Sequence, residues 1–225
     1  MWRRHDLLRV QPDRWHVILA RSPAVQTLTG EPRRLVAGWA ERGWPVVVRR
    51  RGPDDGDAGI DAGIDVGIPL PPSCGKLRLA LSVPADWVAE PVAAVPLSRA
   101  VGTTPAHWRT QLEELVAFGE RQALRPALFG ALLWQQVTGL PYLRPGSDID
   151  LVWPTPPAGT LGVLLDTLER LDAAGPARLD GEIILADGGG VNWRELHREL
   201  RVPDGAVLVK SMDGADIRCA RTLFT

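Results

Sequence analysis

The stretch Gly146-Ser147-Asp148-Ile149-Asp150-Leu151-Val152-Trp153 constrains the fold of this chain more than any other. Ile149, Leu151 and Val152 read as a buried strand, and the two-residue period of a strand sends Asp148 and Asp150 to one face. Carboxylates at that spacing repel each other unless a cation stands between them, and a divalent metal with hard oxygen ligands is a common answer. Gly-Ser-Asp is also ordinary turn chemistry, in which Asp148 only caps a turn. The flanking segments favour a site. Upstream, Pro126-Ala127-Leu128-Phe129-Gly130 reads as a short strand and Ala131 to Val137 as a helix, a corner whose amides suit a phosphate. Downstream, Leu161 to Leu171 is apolar at helical spacing, and the strand Ala177 to Leu185 again sets two carboxylates, Asp180 and Glu182, on a shared face.

This order of strand, glycine, helix, Asp-x-Asp strand, helix and second acidic strand resembles the nucleotidyltransferase superfamily of the DNA polymerase β type. The resemblance implies that Asp148 and Asp150 bind magnesium ions and that a third carboxylate on the next strand completes the site. Asp180 and Glu182 both qualify, and Asp180 is favoured. The chain departs from the superfamily pattern at Gly130-Ala131, where Gly-Ser is usual, so one phosphate-binding hydroxyl is missing. A narrower likeness runs through His5-Asp6-Leu7-Leu8, Gly43 to Arg50, Gly67 to Pro72, Thr138 to Asp148, Leu179 to Glu182, Val191 to Leu196 and Val207 to Lys210. Together these resemble the phosphoribosyl-dephospho-CoA transferases of malonate decarboxylase. That family's chemistry implies transfer of 2′-(5-triphosphoribosyl)-3′-dephospho-CoA to a serine of the acyl carrier protein subunit of malonate decarboxylase, with release of pyrophosphate. Two other readings stay open: a nucleotidyltransferase that uses ATP to adenylylate a protein or small molecule, and an inactive nucleotide-binding module.

Further candidates surround the acidic strands. Ser147 and the Gly130 corner are placed to bind the nucleotide. Lys76 and Lys210 are the only lysines among the 26 Lys and Arg residues, and the apolar strand Val207-Leu208-Val209 delivers Lys210 as a compact charge for a phosphate. Trp193 opens the helical run to Leu200; helix packing is its favoured role, and the alternative is a face on which adenine would stack, with Arg194 near phosphate.

The 225 residues, 45% of them hydrophobic, suffice for one large or two small domains, and the net charge of -1 argues against a broad nucleic-acid surface. No apolar run is long enough to span a bilayer, and the start Met1-Trp2-Arg3-Arg4-His5-Asp6 lacks the apolar core of a secretory signal, so a cytoplasmic enzyme without membrane attachment is expected. Cys74 and Cys219 lack metal-ligand spacing and read as reduced thiols, buried or partly so.

The organisation predicts an α+β protein in two parts. Residues 1–96 form a smaller α/β N-terminal domain, with a helix near Arg33 to Arg42 and strands at Trp44 to Val48 and Leu77 to Val83. Within it, Asp57-Ala58-Gly59-Ile60, Asp61-Ala62-Gly63-Ile64 and Asp65-Val66-Gly67-Ile68 make a three-copy repeat, read as a flexible or extended surface insertion near 54–68. Residues 97–225 form the nucleotidyltransferase-like domain, a mixed sheet flanked by helices. It opens with a helix from Ala106 to Gln122 that Thr103-Thr104-Pro105 starts, burying Leu112, Leu115, Val116 and Gly119.

Overall fold

The computed structural model describes residues 2–50, 52, 63–75 and 77–224. The chain divides into two compact units, Met1–Ala94 with Val137–Pro141, and Val95–Gln136 with Tyr142–Thr225.

The first unit runs β1 (Leu7–Val10), α1 (Pro12–Ala20), α2 (Pro23–Gln26), α3 (Gly30–Ala37), β2 (Val46–Val48), β3 (Ile64–Pro69), β4 (Arg78–Val83) and β5 (Val88–Val92). The strands make one sheet in the order β4-β3-β2-β1-β5, with every neighbouring pair antiparallel. Its helices are therefore not parallel crossovers, and the unit is α+β in the strict sense. Pro12 and Pro23 sit in the first turns of α1 and α2, where a missing N–H costs nothing. Two tryptophans lock the helices to the chain around them: Trp15 Nε1 donates to the Val36 carbonyl at 2.8 Å and Trp39 Nε1 to that of Pro45 at 2.9 Å.

The repeat is corrected here. Its last copy, Asp65-Val66-Gly67-Ile68, is not a surface insertion but the body of β3, an interior strand paired on both sides, with Val66 and Ile68 wholly buried. Glycine in each copy lowers strand propensity, yet pairing with β2 and β4 and the burial of alternate aliphatics override it. Residues 53–62, which hold most of the first two copies, lie outside the described residues.

The second unit runs α4 (Arg109–Arg121), β6 (Ala127–Leu128), α5 (Gly130–Thr138), β7 (Ile149–Trp153), α6 (Leu161–Ala174), β8 (Leu179–Ile184), β9 (Gly190–Asn192), α7 (Trp193–Glu199), β10 (Ala206–Lys210) and β11 (Ala215–Cys219). The sheet order is β11-β10-β9-β8-β7-β6; β7 and β8 are parallel and the other pairs antiparallel, so the sheet is mixed as expected. The parallel pair needs a crossover, which α6 supplies. The first helix starts later than its sequence suggests. Ala106–Trp108 is a single 3₁₀ turn, and Thr104 Oγ1 donates back to the Val101 carbonyl at 3.3 Å and does not cap α4. Phe118 takes the buried place expected of Val116 and meets Trp153 edge to face at 6.2 Å. Gln111, also buried, donates Nε2 to the carbonyls of Leu171 (3.0 Å) and Ala177 (2.8 Å) and accepts from the Ala177 amide, tying α4 to the loop that enters β8. Both cysteines are free; Cys74 is buried, whereas Cys219 is exposed because β11 is an edge strand.

The placement of β3 is testable. Ile68→Ala removes three buried carbons from a filled site and is expected to cost about 2–4 kcal/mol. Urea unfolding measures this, and a loss under about 0.5 kcal/mol would restore the surface reading of the repeat.

Candidate active site

The sheet of the second unit has one covered and one open face. Ile149, Leu151 and Trp153 of β7, Leu179 and Ile183 of β8, Val191 of β9 and Val207 and Val209 of β10 are buried on the covered side. The alternate residues, Asp150, Asp180, Glu182, Asn192 and Lys210, are only part-buried, and Leu208 and Ile217 beyond them are exposed. Strand alternation thus puts every acidic candidate of β7 and β8 on the open face.

The register brings the carboxylates together. Asp150 lies opposite Asp180 in the parallel β7–β8 pair, and Val152 lies opposite Glu182. Gly181, between the two acidic residues of β8, permits this approach: its φ is +135°, and a Cβ there would stand 1.8 Å from the Leu151 carbonyl oxygen. Burial, then the charges of Asp180 and Asp148, push the Asp150 carboxyl up from 3.8 to about 6, although an N–H from Ala131 and the charge of Arg178 act against the rise. Asp148 pairs with Arg178 at 3.0 Å. Asp180 Oδ1 accepts from the Gly181 amide at 2.8 Å and from Asn192 Nδ2 at 3.0 Å. Of the two choices for a third carboxylate, Asp180 is the one that faces Asp150. Glu182 turns to Lys210, with 3.5 Å between Oε1 and Nζ.

The Gly130 corner has a different use from the one its pattern suggests. The backbone enters α5 at φ +57°, and a Cβ on Gly130 would fall 2.0 Å from Asp150 Oδ2. The amide of Ala131 bonds the same carboxyl, and the Phe129 amide donates to the Asp150 carbonyl at 3.0 Å. The corner therefore seats Asp150, and glycine is required both for its φ and for space. Ser147 is likewise engaged locally: its Oγ accepts from the Arg144 amide at 2.8 Å and closes the turn before β7.

Trp193 and Arg194 do not form a stacking site. Trp193 is 2% exposed, at the first position of α7 with its ring in the core. Arg194 lies over that ring at 4.5 Å and spends its guanidinium on Asp172 and on the Leu179 carbonyl at 2.6 Å. Burial raises the Asp172 carboxyl, but bonds from Arg194 and the Leu179 amide outweigh it and hold the group below the usual range. The pair clamps α7 to the end of α6 and the start of β8. Helix packing, the favoured reading of Trp193, agrees with this burial, and the stacking alternative does not.

Sequence reasoning missed two residues. Arg178, one position before β8, is the cation on Asp148. Asn192 caps α7 by accepting from the Arg194 and Glu195 amides at 3.0 and 3.3 Å while its Nδ2 holds Asp180. An Asn just before a helical run is a cap signal, and that signal was available.

The donor set of Asp148, Asp150 and Asp180 fits a hard divalent cation: three carboxylates on one face, one with its pKa raised by burial and then by the charge of the other two. It is not a closed cage. Among the described residues, the only group of three His, Cys, Asp or Glu ligand atoms all within 4.8 Å of one another is Asp166, Glu169 and His197 of α6 and α7. There the Arg201 guanidinium approaches His197 Nε2 to 3.0 Å and Glu169 Oε2 to 3.2 Å, completing an ion-pair clamp between the helices.

Comparison with known proteins places this architecture. The family described as the phosphoribosyl-dephospho-CoA transferase MdcG C-terminal domain matches residues 95–220, and its N-terminal counterpart matches residues 3–94. This chain belongs to that family. A phosphoribosyl-dephospho-CoA transferase of Bradyrhizobium diazoefficiens is 34% identical over 194 residues, covering 86% of this chain and 81% of the relative. One of Xanthomonas campestris pv. campestris is 35% identical over 205 residues, covering 91% and 92%. No solved structure matches the chain. The family's two parts meet between residues 94 and 95, where the two compact units also divide ahead of α5.

The raised Asp150 pKa gives a prediction for the metal-free protein. A carboxyl that binds its proton more tightly folded than unfolded stabilises the fold below pH 3.8, and that contribution is lost as pH rises to about 6. Asp150→Asn removes the buried charge and with it the repulsion, so at pH 8 with chelator it is expected to be more stable than the parent by up to about 3 kcal/mol. The gap closes near pH 4. Urea titrations at the two pH values decide it, and lower stability of the variant at pH 8 would remove the electrostatic account.

Proposed function

We propose that this transferase attaches the phosphoribosyl-dephospho-CoA group of 2′-(5-triphosphoribosyl)-3′-dephospho-CoA to a serine of the acyl carrier protein subunit of malonate decarboxylase. The observation that carries the reading is the meeting of Asp148, Asp150 and Asp180 on the open sheet face, in a chain of this family. The serine oxygen attacks the phosphorus next to the ribose; the new O–P bond forms as the bond to the departing pyrophosphate breaks, and a carboxylate of the trio takes the serine proton. Magnesium held by Asp148, Asp150 and Asp180 would supply Lewis acidity toward the phosphates and offset charge on the leaving group.

The chain's own residues do the positioning. The Gly130 corner and the Ala131 amide fix Asp150, and Asn192 fixes Asp180. Arg178 steadies Asp148 from outside the trio. Lys210, half-exposed at the end of β10, reaches the same face and is proposed to meet the triphosphate while keeping Glu182 neutralised. Both the nucleophile and the leaving group come from other molecules, so no Ser-His-Asp set is needed here.

Incubating the protein with the triphosphoribosyl precursor, magnesium and the carrier, then weighing the carrier, tests the reaction. The expected product is heavier by the phosphoribosyl-dephospho-CoA group, and Asp150→Asn should lower its rate at least a thousandfold, an effect of about 4 kcal/mol. ATP in place of the precursor should give no adduct; an adenylylated carrier would replace this reading with the adenylyl-transfer one. Magnesium alone should raise the melting temperature of the parent but not of Asp148→Asn/Asp180→Asn.

Lys210→Met is expected to weaken precursor binding about tenfold to a hundredfold, the range of a charge-assisted contact worth about 1.5–3 kcal/mol. Lys210→Arg should recover part of this. Calorimetry with both variants separates the contact from a lysine whose sole task is Glu182, for which Met and Arg would bind the precursor as the parent does.

A further inference from the structure

β11 is the outer strand of the six-stranded sheet in the second unit, with β10 as its single neighbour. Ile217 at its centre is 77% exposed, the most exposed large hydrophobic residue among those described. Leu208, its direct partner on β10, is 37% exposed on the same face. Together they leave an apolar strip along the edge of the open face.

The ladder fixes which backbone groups of β11 turn outward. The Ser211 amide donates to the Gly214 carbonyl at 2.8 Å at one end, and the Ala220 amide to the Gly205 carbonyl at 2.9 Å at the other. Between them the register runs without a shift from Lys210–Ala215 to Ala206–Cys219. Along an antiparallel strand, residues alternate between bonding the partner and bonding away from it. Gly214, Asp216, Arg218 and Ala220 therefore bond to β10, while the N–H and C=O groups of Ala215, Ile217 and Cys219 point outward. The Leu208 amide agrees with this phase: it turns away from β11 and donates to Glu195 Oε1 at 3.0 Å.

Such a row is a template for another strand, and chains that stay single blunt it with proline, lysine or a bulge. Ala215-Asp216-Ile217-Arg218-Cys219 has none of these. Its two charges are opposite in sign and flank Ile217. Laid antiparallel to a copy of itself about Ile217, the strand sets Asp216 against Arg218 of the copy, Arg218 against its Asp216, and Ile217 against Ile217. The outward groups meet in the same register, Ile217 with Ile217 and Ala215 with Cys219. Moving the centre of pairing by one residue either way sets Asp216 against Asp216 or Arg218 against Arg218, so charge selects the alignment. Arg218 is already oriented for it, with Nη1 2.5 Å from Asp187 and Nη2 3.6 Å from Asp216, and a guanidinium has donors for a further carboxylate.

We propose that β11 pairs antiparallel with β11 of a second copy of this chain, about a two-fold axis at Ile217, joining two six-stranded sheets into one. That axis stands normal to the sheet, so both open faces lie on one side. Leu208 and Ile217 of the two copies then form a continuous apolar row between the two carboxylate sites. The pairing is independent of the proposed transfer reaction.

Sedimentation velocity of the full chain from about 1 to about 300 µM tests this, because an interface of one strand is small and a micromolar dissociation constant is expected. The parent is expected to pass from monomer to dimer across that range. Ile217→Lys places a charge on the edge and should weaken the dimer roughly tenfold or more. Asp216→Arg alone and Arg218→Asp alone should stay monomeric, since each sets like charges face to face. An equimolar mixture of those two should dimerise, because every facing pair is then opposite in sign, and its recovery also shows that both variants are folded. In amide exchange followed by NMR, the amides of Ala215, Ile217 and Cys219 should slow as the parent is concentrated, while those of Asp216 and Arg218 keep their rates. A parent that stays monomeric, an Ile217→Lys variant that dimerises as the parent does, a mixture no heavier than its components, or outward amides indifferent to concentration would overturn the proposal.

Discussion

The pairing of β7 with β8 governs the site, because a parallel register that sets Asp150 opposite Asp180 builds repulsion into the sheet. Such an arrangement persists only where other contacts hold it. Gly181 lets β8 lie against the Leu151 carbonyl, and the Arg194–Asp172 pair with the Leu179 amide pins the start of β8 to α6. Asn192 pulls the Asp180 carboxylate toward α7, and Ala131 pulls that of Asp150 toward α5. Burial, together with this repulsion, raises the Asp150 carboxyl from 3.8 to about 6, which corresponds to about 3 kcal/mol at neutral pH, a sizeable part of the roughly 5–15 kcal/mol that usually separates folded from unfolded chains. The hydrophobic underside, with Trp153, Leu151 and Ile183 wholly or almost wholly buried, is what bears that cost.

How much of this was legible follows from which distances the information travels. Asp148 and Asp150 were readable because two-residue alternation is local, and Asp180 because the same rule applies on the next strand. The preference for Asp180 over Glu182 was not decidable from alternation, since both share a face; it depends on register across β7 and β8 and on Lys210 arriving from β10. Arg178 and Asp148 are thirty residues apart in sequence, and nothing local announces their pairing. β3 was misread for the opposite reason. Its local signal, a glycine-bearing repeat, is that of a loop, and burial between two strands reverses it. Trp193 could be read either way, with packing favoured, because helix phase decides which way it points and a tryptophan at the first helical position gives that phase no help.

The division of cations on the open face carries the last step. Arg178 stands on Asp148 and Lys210 on Glu182, while Asp150 and Asp180 receive hydrogen bonds from amide groups. Amides orient a carboxylate without cancelling its charge. The two cations thus sit at the margins, and the pair of carboxylates at the centre of the β7–β8 ladder keeps its repulsion. A triphosphate brought to that pair would add negative charge to negative charge, and Arg178, engaged with Asp148, offsets the charge at Asp150 only in part. The divalent cation proposed for this site would answer both problems at once, relieving the pair and drawing in the phosphates. The same argument explains the glycine at position 130. A larger residue would push Asp150 out of its seat by the α5 amide, and a carboxylate set loose there would swing toward solvent, where its repulsion from Asp180 falls and with it the attraction for metal.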